Sequence, residues 1–137
     1  MIMDSGRIVL VTGASSGIGK AAAEMFARRG YVVYGTSRRG RYESVGPEGA
    51  AFTLLPMTLQ DEASVQAAVQ YVLDRHGRID ILVNAAGSGI AGAVEETSAD
   101  EAREQFDVLF FGVVRVLNYV LPAMRAAGRG LVINVGS

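Results

Sequence analysis

Short runs dominated by apolar residues, the first of them wholly apolar, alternate along this chain with longer stretches in which apolar residues recur every three or four positions. That alternation predicts strands and helices in turn. The apolar runs are Ile8 to Val11, Tyr31 to Thr36, Ala51 to Leu55, Ile79 to Val83 and Leu131 to Val135. Between them, Ile18, Ala21, Ala22, Met25 and Phe26 have helical spacing and are followed by Arg28, Arg29 and Gly30, which suit a helix end. Val65, Ala68, Val69, Val72 and Leu73 repeat the stripe, closed by His76 and Gly77. Ser98 and Glu101 have the spacing of a capping box, and the helix they open carries Phe106, Leu109, Phe110, Val113, Val114, Leu117, Leu121 and Met124 as its main stripe. Val108, Phe111, Val116 and Tyr119 fall outside that stripe, and Gly128 to Gly130 ends the helix. Arg38 to Gly49 is polar and rich in glycine, so it reads as a loop with at most one turn. Strands apolar on both faces and separated by helices imply one α/β domain over residues 1–137, with a doubly wound parallel sheet of five strands.

The first strand-to-helix connection, Thr12 to Gly19, reads T-G-A-S-S-G-I-G. Its chemistry is that of the backbone. Gly13 permits a sharp turn, Gly17 lets phosphate oxygens approach the free amides of the helix start, and Gly19 allows close packing of helix on strand. Ser15, Ser16 and Ile18 complete the loop, the serines adding hydroxyl donors. This arrangement belongs to Rossmann-type three-layer folds, with strand order 3-2-1-4-5. A Walker A loop is the nearest competitor, because Gly19 and Lys20 supply its G-K pair. Ala14 stands at the position of its first glycine, however, and Ala21 at that of its metal-binding hydroxyl, which removes the magnesium ligand.

Charge and composition narrow the function classes. The 137 residues carry a formal net charge of -1 and half are apolar, which allows a sizeable core and leaves no basic field for nucleic acid. The absence of cysteine removes disulfides and thiolate metal sites and fits a reducing, cytoplasmic setting. No metal constellation is evident. Met1 to Arg7 lacks the pattern of a signal peptide, and no uninterrupted apolar run reaches the length of a membrane span. Glu95, Glu96, Asp100 and Glu101 read as a solvated helix start, and His76 as a charge at a helix end.

Three motifs in order, T-G-A-S-S-G-I-G, L-V-N-A-A-G at Leu82 to Gly87 and I-N-V-G-S at Ile133 to Ser137, resemble the short-chain dehydrogenase/reductase family. The resemblance runs from Arg7 to Ser137 and corresponds to the first half of a family member. It implies that Asn84, Ala85, Ala86 and Gly87 line a cofactor cleft and brace the fourth strand against Thr12. It also places Thr58 and Leu59 beside the adenine, with Thr58 where the family carries an Asp. At the end of the second strand, family members that prefer NAD carry an acid, whereas this chain has Ser37, Arg38 and Arg39. Arginine grips a 2'-phosphate, so NADP(H) is expected over NAD(H).

The resemblance also shows what is missing. The family's helix phrase F-D-V-N-F-F-G is F-D-V-L-F-F-G at Phe106 to Gly112, so Leu109 replaces an Asn of the catalytic tetrad. Ser137 matches the serine that positions substrate. The Tyr-x-x-x-Lys pair is not in these residues, because the single lysine is Lys20 and Ser16 stands four before it. Loss of general acid and base catalysis costs about 100- to 10,000-fold, so no turnover is expected from the chain alone. A sheet left partly uncovered, together with an apolar Ser98 to Ala127 helix, predicts a homo-oligomer, with a homodimer the simplest case. The alternatives are a dinucleotide-binding module without chemistry and an engineered, self-associating fragment that has lost its cofactor.

Overall fold

The computed structural model describes residues 6–136. The elements are β1 (Ile8–Thr12), α1 (Gly17–Arg28), β2 (Val32–Ser37), β3 (Glu43–Val45), β4 (Phe52–Pro56), α2 (Glu62–His76), β5 (Ile81–Asn84), α3 (Ala99–Phe106), α4 (Gly112–Ala127) and β6 (Leu131–Asn134). They form one sheet in the order β3-β4-β2-β1-β5-β6, parallel throughout except for the β3–β4 pair. The five strands read from the apolar runs lie in the expected order, and the sheet has six strands rather than five. The addition is β3, inside the segment expected to be a loop. With only Val45 apolar among its three residues, β3 has no pattern of its own. It exists because its backbone pairs with β4, Val45 lying opposite Phe52.

β1 is buried along its whole length, and its side chains alternate between the two faces. Val9 and Val11 pack with Ala23, Val33, Phe52 and Val83 beneath α1. Ile8 and Leu10 pack with Val65, Val69, Val72, Leu82, Val116 and Val120 beneath α2 and α4. This is the three-layer architecture the sequence predicts. At the opening edge of the sheet, buried Asp80 accepts hydrogen bonds from the Ile8 amide (2.7 Å) and from Arg78 Nε (3.0 Å). The Asp80 carbonyl accepts from the Leu131 amide at 3.0 Å, so one residue fastens the starts of β1, β5 and β6.

Two helices present different faces from those their apolar stripes suggest. On α1 the buried positions are Gly19 and Ala23, with Phe26 and Ala27 packed alongside, while Ile18 and Met25 face outward. Close approach to the sheet requires small residues, so the glycine and alanines rather than the larger side chains turn inward. The helix after Ser98 is continuous from Ala99 to Ala127, but Asp107–Phe111 forms a π-helical turn between α3 and α4. One wider turn shifts the phase of the residues before it relative to those after it. Gly112, Val116, Val120 and Met124 are the buried face of α4, and Phe106, Leu109, Phe110, Val114 and Leu121 are exposed. A helix apolar on nearly all sides gives periodicity no single answer.

By length, and by a mean hydropathy of 1.5 over its most apolar stretch, this helix would also suit a membrane span. The uninterrupted-run criterion misses it because Gly112 and Arg115 break the sequence. Here one face packs into the core and Arg115 is engaged with three elements. On β6, Leu131 and Ile133 are exposed.

Candidate functional site

The C-terminal ends of β1, β2, β4 and β5 open onto a cleft of about 770 Å3, within the range that holds nucleotide-sized ligands. Its floor is the loop from β1 to α1. Gly13 has φ +66, and a Cβ there would lie 2.5 Å from Ala86 Cα, so the turn is open only to glycine. A Cβ on Gly19 would come still closer to the Gly13 carbonyl oxygen, so only glycine lets the helix seat on its own loop. Ser16 occupies the N-cap of α1 with an extended backbone, yet its side chain makes no capping hydrogen bond, and the first turn holds no acid. Gly17 has φ +58 and nothing within 4 Å of where its Cβ would be. The first amides of α1 therefore face the cleft without a side-chain partner, and the helix dipole adds partial positive charge there.

Thr12 braces the opposite wall. Its Oγ1 accepts hydrogen bonds from the Ala85 amide (3.1 Å) and the Ala86 amide (3.2 Å), which locks the end of β5 to the end of β1. Ala85, Ala86 and Gly87 line the cleft beyond this brace. Asn84 lies behind it, buried, with its Nδ2 donating to Asn134 Oδ1 at 2.9 Å. At the other end of the cleft stand Ser37, Arg38 and Arg39, where Ser37 Oγ accepts from the Arg39 amide at 3.2 Å.

Of the residues singled out from the sequence, Gly13, Ser15, Ser16, Gly17, Ile18, Ser37, Arg38, Leu59, Ala85, Ala86 and Gly87 are brought together around this one space. Gly19, Thr58 and Asn84 support it from behind. The Thr58 amide donates to Ser64 Oγ at 2.8 Å, which joins the Leu59 loop to α2. Ser137 lies outside the described residues. Leu109 sits on the π-helical turn beside Gly87, 3.3 Å from where a Cβ on that glycine would be.

The sequence reading missed a third wall. Glu101, Glu104, Gln105 and Val108 of α3 and the following turn face the cleft opposite Ser88 and Ile90. Their spacing of three, one and three residues is a helical stripe, and that was the available signal. Gln105 Nε2 donates to the Ser88 carbonyl and holds the loop after β5 against α3. Glu101 also completes the capping box of α3, accepting from the Ser98 amide at 2.8 Å while its own amide donates to Ser98 Oγ at 3.1 Å. The bond from the Ser98 backbone, followed by that to its hydroxyl, holds the Glu101 carboxyl below its ordinary pKa. His76, read as a charge at a helix end, also has a partner, Tyr34 Oη at 2.6 Å from its Nε2. Burial, then the neighbouring Tyr71, pushes the Tyr34 phenol above its ordinary pKa, with Arg75 opposing.

The family model for short chain dehydrogenases matches residues 7–137. This chain belongs to that family. The short-chain dehydrogenase relatives include a 3-ketodihydrosphingosine reductase of Bacteroides thetaiotaomicron, 43% identical over 131 residues that cover 96% of this chain and 47% of that protein. A short-chain dehydrogenase from Streptomyces avermitilis superposes with a TM-score of 0.86 at 36% identity, over 99% of this chain and 51% of the other. A metagenomic short-chain oxidoreductase solved in complex with NADP gives a TM-score of 0.84 at 31% identity, over 97% of this chain and 63% of its own. The chain thus spans about half the length of the short-chain dehydrogenases it matches.

Proposed function

We propose that this chain forms the NADP(H)-binding half of a short-chain dehydrogenase, in an oxidoreductase that moves hydride between nicotinamide and a carbonyl or alcohol. The observation that carries the reading is the pairing, within one cleft, of an uncapped, acid-free helix start with Arg38 and Arg39 at the far end. The first site suits a pyrophosphate, because backbone amides and the helix dipole act on the same anion. The second suits the 2'-phosphate that distinguishes NADP from NAD. Gly13, Ser15, Ser16, Gly17 and Ile18 would hold the pyrophosphate side, with Gly19 seating the helix. Ser37, Arg38, Thr58 and Leu59 would frame the adenosine, and Asn84, Ala85, Ala86 and Gly87 the nicotinamide side. The bound cofactor supplies hydride chemistry, while these residues bind and orient it.

Binding rather than turnover is proposed for these 137 residues. Their one lysine is Lys20, in the first turn of α1, and Leu109 offers no group that holds water or a proton. Titration of NADPH and NADH by calorimetry tests the reading. NADPH binding tighter than NADH, with no oxidation by a panel of carbonyl compounds, is the expected result. Failure of both to bind at millimolar concentration would overturn it.

The exposed Phe106, Phe110, Phe111 and Leu121 on α3, its π-helical turn and α4 favour self-association through this helix as a second property. Light scattering at micromolar concentration should give at least a dimer, and a monomer would count against the association alone.

A further inference from the structure

Arg115, in the first turn of α4, makes more connections than a surface cation needs. Its side chain is only 23% exposed. Its Nη1 donates to the Leu59 carbonyl at 2.9 Å and pairs with Asp107 Oδ1 at 2.7 Å. Its Nε lies 3.5 Å from Glu62 Oε2, and Tyr119 Oη donates to the other Glu62 oxygen at 2.7 Å. One guanidinium therefore ties together the loop between β4 and α2, the first turn of α2, and the start of the π-helical turn.

The π-helical turn makes this geometry possible. In a regular α-helix, residues eight apart stand about 80° apart around the axis, and one extra residue in a turn brings them to within about 20°. Asp107 and Arg115 then share a face, and Asp107 spans the extra residue by accepting the Gly112 amide five positions on. The same turn and the glycine that follows it reach two residues of the cleft. Gly112 lies so close to Leu59 that a Cβ on it would be 2.8 Å from Leu59 Cβ, while Leu109 lies against Gly87. Leu59 and Gly87 both line the cleft.

We infer that Arg115 is a positioning residue for dinucleotide binding: it fixes the adenosine-side wall by holding the Leu59 carbonyl and locks the π-helical turn that sets that wall's distance from Gly87. The inference rests on the cofactor reading above. Arg115 does not touch the cleft itself, so it acts through Leu59 and Asp107. The Glu62 and Tyr119 links are its outer anchorage, away from the wall. Lysine at this position would keep the charge but lose the fork that reaches two acceptors at once.

The test compares R115M, R115K and Y119F with wild type. Two readouts are used: affinity for adenosine 2',5'-bisphosphate and, without ligand, hydrogen exchange at the Met57, Thr58 and Asp61 amides. Each of these loop amides donates a hydrogen bond, Met57 to the Ser37 carbonyl, Thr58 to Ser64 Oγ and Asp61 to the Thr58 carbonyl, and so reports on the order of the loop. R115M should weaken adenosine 2',5'-bisphosphate about tenfold and accelerate exchange at all three amides, R115K should recover part of both, and Y119F should change neither. Wild-type binding with R115M within twofold of it would overturn the inference alone. If wild type does not bind, the cofactor reading fails and the exchange data decide on Arg115 as the holder of the loop; unchanged exchange in R115M overturns that as well. Should R115M fail to fold, R115K reads the same amides and the same affinity.

Discussion

The starts of α1 and α2 face the same end of the sheet and solve the same problem in opposite ways. Each helix leaves its first amides without intrahelical partners. On α2, Asp61 Oδ1 accepts from the Ala63 amide (3.0 Å) and the Ser64 amide (3.4 Å), and Glu62 adds an acid to the first turn. On α1, Ser16 makes no such bond and no acid comes after it in the first turn. The protein's own side chains complete the one helix, whereas the other has no side-chain cap, which is what the proposed binding of an outside anion needs. The contrast teaches that the proposed cofactor site is defined as much by a withheld cap as by the glycines.

The comparison breaks most severely if α1 is given a cap of its own. Gly17→Asp places a carboxylate at the bare amides, and aspartate tolerates the left-handed backbone there better than most residues. NADPH affinity should fall about a hundredfold by calorimetry, as two anions compete for one set of donors, while thermal stability holds or rises. A parallel loss of fold and binding would instead mark Gly17 as purely structural.

A smaller effect is expected at the second of the proposed anion contacts. The double variant R38A/R39A should lose about tenfold in NADPH affinity and leave NADH unchanged. Equal losses for both cofactors would remove the 2'-phosphate from the account. On the capped helix, Asp61→Ala should cost about 1 kcal/mol in denaturant unfolding with little change in NADPH affinity, the converse of Gly17→Asp.

The smallest effect concerns α3, whose cap also lines the cleft. The Glu101 carboxyl is held below its ordinary pKa, so its capping contribution is complete above the usual carboxylate range and is lost as pH falls through the lowered value. Carboxyl titration by NMR should show that depressed midpoint, and Ser98→Ala should move it back towards the ordinary one.

Legibility in the sequence depended on how local each cause is. β1 and β5 are buried on both sides, so a largely apolar run was enough to find them, and α2 has one apolar face that could be read directly. The glycine loop was legible because its chemistry belongs to the backbone and needs only small residues in order. β3 was not, since its three residues are held by pairing with β4 rather than by their own character. The buried faces of α1 and α4 were misassigned because small residues and a π-helical turn, rather than the largest side chains, decide which side meets the sheet. The roles of Asp80 at the Ile8 amide and of Arg115 at the Leu59 carbonyl were not legible, because those partners lie 72 and 56 residues away in sequence. The wall from Glu101 to Val108 was visible as spacing, but its polar residues resemble any solvated helix surface.

The clasp at Asp80 bears on the order in which the nascent protein can acquire its shape. The Ile8 amide waits for a carboxylate 72 residues downstream, and β1 cannot gain its second neighbour until β5 has been synthesised. Until then β1 can pair only with β2, and a strand that comes to have neighbours on both sides begins life as an edge.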